Sequence, residues 1–300
     1  MSEPVTIGGW PANMIDAAGE RRFAGVTRVF RYPHGRVAIV TLLILVVVAI
    51  FAPLVAPYDP LQMHMADKFA SPSRTYWFGA DEFGRDIFSR LVYGTRVSLL
   101  ASIVAVSITT IIGVPVGLVA GYFGGHLDSV IMRLVDFLLA VPGIILAMVI
   151  VVVLGPNVVN AMIAIAIIGI PTMARLTRAS TMSAKEREYV EAARSIGASN
   201  RYILGRTILP NISAPIVVQV AIAAAAAVLL EATLSFLGLG TQPPTPSWGN
   251  LLSTGRQYMY NSPWYGVFPG LMITILVLAL NSLADVIREM LDPSSRRTRG

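Results

Sequence analysis

Apolar residues in this chain come in long blocks instead of alternating with polar ones. The first block, 37–56, is about twenty residues long, enough at about 1.5 Å per residue to cross the roughly 30 Å hydrocarbon core of a bilayer. Further blocks run over 97–120, 127–154 (interrupted by Pro142-Gly143), 158–176, 212–237 (with the alanine run 223–227) and 264–287. A lone peptide segment in lipid must satisfy its own backbone groups, so each block reads as a helix. The pattern predicts an all-α fold, a polytopic membrane protein with six transmembrane helices. The first block starts too late and runs too long for a cleaved leader, and no small-x-small site follows it. The expected organisation is a tail over 1–36, a first transmembrane helix over 37–56 and an outer loop with an amphipathic segment over 57–96. A core of five helices over 97–287 contains the loop 177–211, and a second tail covers 288–300.

Charge gives the orientation. Only 13% of the residues are charged, about half the usual share of a soluble domain, and the formal net charge is +6. Too few polar groups are present to cover a water-soluble globule, and the apolar excess excludes disorder. Arginines precede the first span (Arg21, Arg22, Arg28, Arg31, Arg36) and follow the last (Arg288, Arg296, Arg297, Arg299). The loop 177–211 holds Arg178, Lys185, Arg187, Arg194, Arg201 and Arg206, whereas 238–263 has only Arg256. By the positive-inside rule both termini and the 177–211 loop are expected in the cytoplasm. In 57–96 acids and bases balance, so that segment does not overrule the others. Trp248, Tyr258, Tyr260, Trp264 and Tyr265 suit an interfacial belt on the outer side. With 0 cysteines there is no disulfide, no thiol nucleophile and no Cys-ligated metal.

Gly113, Gly117 and Gly121 recur every fourth residue and place three glycines on one helix face, where another backbone can approach closely. Pro115 and Pro142-Gly143 are expected to bend their helices. Asp136 lies inside a span, with Arg133 three residues before it as its expected partner. Glu231 and Asp285 sit near span ends. All three carboxylates lie off the midplane, which favours helix-end pairing over a proton or ion relay. The histidines His34, His64 and His126 stand far apart. No nucleophile–base set and no His-Glu-x-x-His is present, which leaves an intramembrane hydrolase without chemistry.

The segment 188–211 reads as a helix over 185–196, a left-handed turn at Gly197, and a second short helix capped by Ser199 or Asn200 before Pro210. Its Glu191-Ala192-Ala193, then Gly197, then Leu209-Pro210 resembles the EAA coupling loop of ABC importer permeases. Three further stretches are similar to the C-type permease of dipeptide, oligopeptide and nickel importers. They are Phe78-Gly79-x-Asp81-x-x-Gly84-Arg85-Asp86-x-x-Ser89-Arg90 with Gly94-x-Arg96, Glu231-x-x-Leu234-Ser235-Phe236-Leu237-Gly238-Leu239-Gly240, and Pro243-Pro244-x-Pro246-Ser247-Trp248-Gly249. The isoleucine of the general EAA pattern falls on Thr207, with Ile208 beside it.

The resemblance implies the type I ABC importer permease fold in the cytoplasmic (inner) membrane of a bacterium. It implies contact of Glu191, Ala192, Ala193, Gly197, Ala198, Leu209 and Pro210 with an ATPase subunit. Glu191 stands one turn from Arg187 and from Arg194 on the same helix and is expected to brace the loop through one of them. Lys68 and Lys185 do not follow a glycine, so no Walker A loop exists here and this chain is expected not to be an enzyme. ATP and Mg are expected on partner subunits, and no cofactor or metal in this chain. The implied partners are a paralogous B-type permease, two ATP-binding subunits, an external substrate-binding protein and membrane lipid, with no nucleic acid. Asp81, Glu82, Arg85, Asp86, Ser247 and Trp248 are expected at the outer gate or the docking surface for the binding protein, or else as a structural brace for helix ends. Di- or oligopeptides are the expected cargo. A nickel chelate or another small solute is the alternative, and an ion-coupled carrier lacks the midplane sites it needs.

Overall fold

The computed structural model describes residues 6–7, 10–11 and 32–291. Most of the first tail and residues 292–300, with Arg21, Arg22, Arg28, Arg31, Arg296, Arg297 and Arg299, lie outside the described residues. Two short strands, β1 (Thr6–Ile7) and β2 (Trp10–Pro11), pair antiparallel. The other described elements are helices.

Helix α1 (Pro33–Ile50) starts with proline at its first turn, where a missing N–H costs nothing, and α2 (Ala52–Val55) continues it after a break. Residues 57–86 follow as a folded loop with one 3₁₀ turn, Met65–Asp67. Helix α3 (Ile87–Phe123) then runs for 37 residues, about 55 Å. Asp86 caps it by accepting a hydrogen bond from the Ser89 N–H. The helix therefore starts ten residues before the apolar block at 97, and residues 87–96 are its first turns rather than a separate amphipathic element. The physical reason is that residues 57–86 cover these turns, so Ser89, Arg90 and Thr95 are buried in protein rather than in lipid.

The return pass is broken. Helix α4 (Gly125–Leu139) and helix α5 (Gly143–Leu154) meet at an 86° bend around Pro142. Helix α6 (Val158–Lys185), capped by Asn157, runs nine residues past the apolar block that ends at 176. It packs parallel to α3. Thr109 Oγ1 donates to the Ala166 carbonyl, Gly113 faces Met173, Gly117 faces Ala174 and Thr177, and Gly121 faces Thr181. Two parallel neighbours that both cross require a crossing back between them. Helix α5, with 12 residues and about 18 Å, is too short to do this alone. The α4–α5 pair is therefore one bent span, which with α1, α3, α6 and two later helices makes six.

After α6 come α7 (Glu188–Ser195), α8 (Asn200–Tyr202), a π-helical turn (Ile203–Ile208) and α9 (Leu209–Asn211). Helix α10 (Ser213–Phe236) runs antiparallel to α3, with Ser98 opposite Glu231 and Ser102 opposite Ala224. Helix α11 (Trp248–Gln257) opens with a capping box between Ser247 and Asn250, and α12 (Trp264–Leu291) closes the described chain. One apolar cluster joins α1, α3, α11 and α12 through Leu45, Leu91, Trp248 and Leu276. A second joins α3 and α6 to the 186–212 loop through Val114, Met173, Val190 and Ile208. Many other apolar side chains, Phe137 and Val153 among them, face outward, as expected of a surface solvated by lipid.

Candidate functional site: the 186–212 protrusion and the cavity behind it

Helix α6 stops at Lys185, and a two-residue turn re-aims the chain into α7, so the helix begins at Glu188 and not at 185. Val190 and Ala193 are the buried side of α7. Glu191 and Ala192 are exposed, as is Gly197 beyond the helix end. Gly197 has φ +78°. Its N–H donates to the Arg194 carbonyl and the Ala198 N–H to the Ala193 carbonyl, a Schellman closure that needs the left-handed conformation. Ser199 then caps α8 through the Tyr202 N–H.

A few residues on, the Leu209 N–H reaches back five residues to the Leu204 carbonyl. That widened turn accommodates Pro210, whose ring would crowd the carbonyl four residues before it in a regular α-helix. Leu209 is half-buried and Pro210 exposed. The result is a braced protrusion with an apolar tip, since Ile196 is 83% exposed and Tyr189 and Tyr202 are also exposed.

The brace is not the expected one. Among the described residues no ion pair joins Glu191 to Arg187 or Arg194. Arg194 lies over the Tyr122 ring at 5.4 Å. The Tyr122 hydroxyl donates to Asn200 Oδ1 at 2.9 Å, tying the end of α3 to the protrusion. Sequence reading missed this tie, because its two residues are 78 positions apart.

At the opposite end the six residues assigned to a gate or docking surface turn inward. Asp81, Arg85, Asp86, Ser247 and Trp248 are buried, and Glu82 is nearly so. Asp81 Oδ2 accepts from Arg85 Nε at 2.6 Å and faces Arg90 Nε at 3.4 Å, while Arg85 Nη2 donates to Glu82 Oε1 at 3.0 Å. Arg90 Nη1 donates to the Pro60 carbonyl, and Trp248 Nε1 donates to the Leu91 carbonyl at 3.1 Å. Burial pushes the Asp86 carboxyl up from its usual range, against the pull of the Ser89 hydrogen bonds. Five of these side chains therefore brace the 57–86 segment and α11 onto α3 and do not offer a docking surface. Phe78 of the same segment stacks on Phe268, with ring centres 3.8 Å apart.

Between the two ends, α3, α5, α6 and α10 line a half-open cavity of about 360 Å³. Its wall includes Gly143 at the broken span, and Ala223, Ala226 and Ala227 from the alanine run. Ala221 and Ala225 of the same stretch are buried and stand outside that wall. Thr109, Thr172 and Gln219 are its polar members, and no lining residue is charged. Two acids expected near spans have partners. Glu231 accepts from Ser98 Oγ and Ser235 Oγ. Asp136 pairs with Arg175 of α6, not with Arg133 as its spacing suggested.

Comparison with known proteins agrees with this architecture. Residues 113–297 match the family described as the binding-protein-dependent transport system inner membrane component, and residues 27–72 match the N-terminal TM domain of oligopeptide transport permease C. A dipeptide transport system permease protein of Alkalihalophilus pseudofirmus is 44% identical over 87% of this chain and 87% of its own. One from Haemophilus influenzae is 40% identical over 89% and 94%. A glutathione transport system permease protein of Pectobacterium atrosepticum is 43% identical over 84% of each. Among solved structures, an inward-facing MetNI methionine ABC transporter chain aligns with a TM-score of 0.57 at 21% identity, covering 69% of this chain and 98% of that one. The chain belongs to the family of binding-protein-dependent ABC importer permeases, in its dipeptide and oligopeptide permease C branch, and is a multi-pass membrane subunit of such a transporter.

Proposed function

We propose that this chain forms half of the translocation path of an ATP-driven importer of di- and oligopeptides. The observation that carries this reading is the near full-length similarity to permeases named for dipeptide and glutathione transport. The cavity fits the same role. Uncharged, mainly apolar walls pass a peptide by size without gripping either charged end.

The protrusion serves as the coupling element. Glu191, Ala192, Gly197, Ala198, Leu209 and Pro210, with the exposed Ile196 tip, seat in a groove of an ATPase subunit, which binds ATP and Mg, whereas Ala193, expected in the same contact, is buried against the core and holds α7 in place. The complex holds a paralogous B-type permease, two such ATPase subunits and an external binding protein. Both termini and the protrusion face the cytoplasm of a bacterial cell, and Ser71 and Asn250 face outward. Any outer contact with the binding protein falls to exposed side chains such as Trp77 and Phe83 and not to the buried network beneath them.

The test is uptake of labelled di- to pentapeptides by cells with and without the gene. Lost peptide uptake supports the reading. Unchanged peptide uptake with lost nickel uptake would replace the cargo and leave the permease role in place. Labelling of a cysteine placed at Ser183 or Ser199 by an impermeant reagent in intact cells would overturn the orientation.

A further inference from the structure

Helix α4 has little hydrophobic anchorage, with Val135 as its buried residue. Charge fixes it in place. Arg178 donates to both carboxylate oxygens of Asp128 through Nε and Nη2, and Arg175 Nη2 donates to Asp136 Oδ1. A forked guanidinium–carboxylate pair sets direction as well as distance. The side chains of Arg178 and Asp128 are 30% and 14% exposed, so water screens this pair only in part.

Arg175 and Arg178 stand ten and seven residues before Lys185, the last residue of α6, and α7 begins three residues after it. The α6 backbone there has no slack. A Cβ on Gly117 would come within 2.9 Å of the Arg178 nitrogen, and one on Gly121 within 2.7 Å of the Arg178 carbonyl oxygen. The two acids are eight positions apart, about 12 Å along α4, while the two arginines are three apart, about 4.5 Å along α6. The two pairs thus converge from more than two turns of α4 onto one turn of α6. A tilt of α6 swings the far end of α4, where the chain turns by 86° and Gly143 enters the cavity wall.

We infer that Asp128, Asp136, Arg175 and Arg178 are positioning residues for transport, a latch that turns displacement of the 186–212 protrusion into a change of the cavity wall at Gly143. The inference rests on the coupling role proposed for that protrusion.

The test uses the complete transporter in proteoliposomes, with labelled alanyl-alanine uptake and ATP hydrolysis measured together. Asp128→Arg and Arg178→Asp singly should lower peptide moved per ATP by about two- to thirtyfold, the span by which residues between two sites alter their coupling. Subunit stoichiometry should stay unchanged. The double variant, which restores opposite charges, should recover most of the ratio. Asp136→Asn at the more exposed pair should give a smaller drop in the same direction. A ratio unmoved in the single variants, even if uptake and hydrolysis fall together, would overturn the latch, as would a double variant that assembles but stays uncoupled. If a charge-reversed chain does not assemble, the neutral pair Asp128→Asn with Arg178→Gln carries the test, and an intact ratio there refutes the latch. Gly197→Val in the same assay separates the two readings. If it uncouples while the latch variants do not, only the latch fails. If it leaves the ratio normal, the coupling role fails and the latch with it.

Discussion

Gly117 and Gly197 are needed for opposite reasons. At Gly117 an added Cβ would lie 2.4 Å from the Ala174 carbonyl oxygen, a backbone atom that cannot rotate away. At Gly197 nothing lies within 4 Å, but φ is +78°. Gly117→Ala should therefore cost about 1–3 kcal/mol through overpacking, and larger side chains should prevent the α3–α6 contact from forming. Gly197→Ala should cost about 1–2 kcal/mol through backbone strain alone, with the α3–α6 packing intact. Thermal melting of the purified chain in detergent, with proteolysis of the protrusion as a local probe, distinguishes the two. Asp86 offers a second contrast. It caps α3 yet holds a buried carboxyl that burial pushes up. Asp86→Asn keeps the cap without the charge and should melt close to the parent, whereas Asp86→Ala should lose about 0.5–2 kcal/mol. An Asn variant as unstable as the Ala variant would show that the charge itself matters.

The helices were legible wherever lipid is the solvent and obscure wherever protein is. The glycine stripe, the Gly197 stop and the Ser199 cap are written in local sequence, and each has the partner its chemistry needs. The start of α3 was hidden because Arg90 reads as a water-facing residue, while its actual surroundings are Pro60 and Asp81 from an adjacent folded loop. The partner of Asp136 was hidden because Arg175 comes from another helix 39 positions away, while Arg133 stood nearby as a decoy. The inward turn of the six outer residues was hidden for the same reason, since polar motifs look alike whether they face water or a neighbouring helix. The broken span makes its own prediction. If α4 and α5 form one crossing, cysteines placed at His126 and Asn157 will react from opposite sides of the membrane. Reaction of both from the same side would make the pair a re-entrant loop.

The assembled permease presents two rigid ends and a plain middle. One end is held by buried ion pairs, the other by Tyr122, the Schellman turn and the second apolar cluster. Between them the cavity wall carries no charge. Selection by charge should therefore be weak here, and giving the wall a charge should create it. Gln219→Glu should slow uptake of an acidic dipeptide relative to a basic one by about tenfold, because like charges meet where little water screens them. Competition between labelled acidic and basic dipeptides measures this, and equal inhibition of both would place Gln219 off the route. The order of synthesis gives the ion pairs a further meaning. Pro60 and Asp81 leave the ribosome before Arg90, so that arginine meets waiting partners. Asp128 and Asp136 emerge 50 and 39 residues before Arg178 and Arg175. An unpaired acid is costly in a bilayer, so Asp136 above all should leave α4 and α5 without a settled position until α6 has been made. Membrane insertion of this middle stretch is then expected to be a joint event of three helices, with a ribosome paused between residues 140 and 175 holding the chain with its bent span unformed.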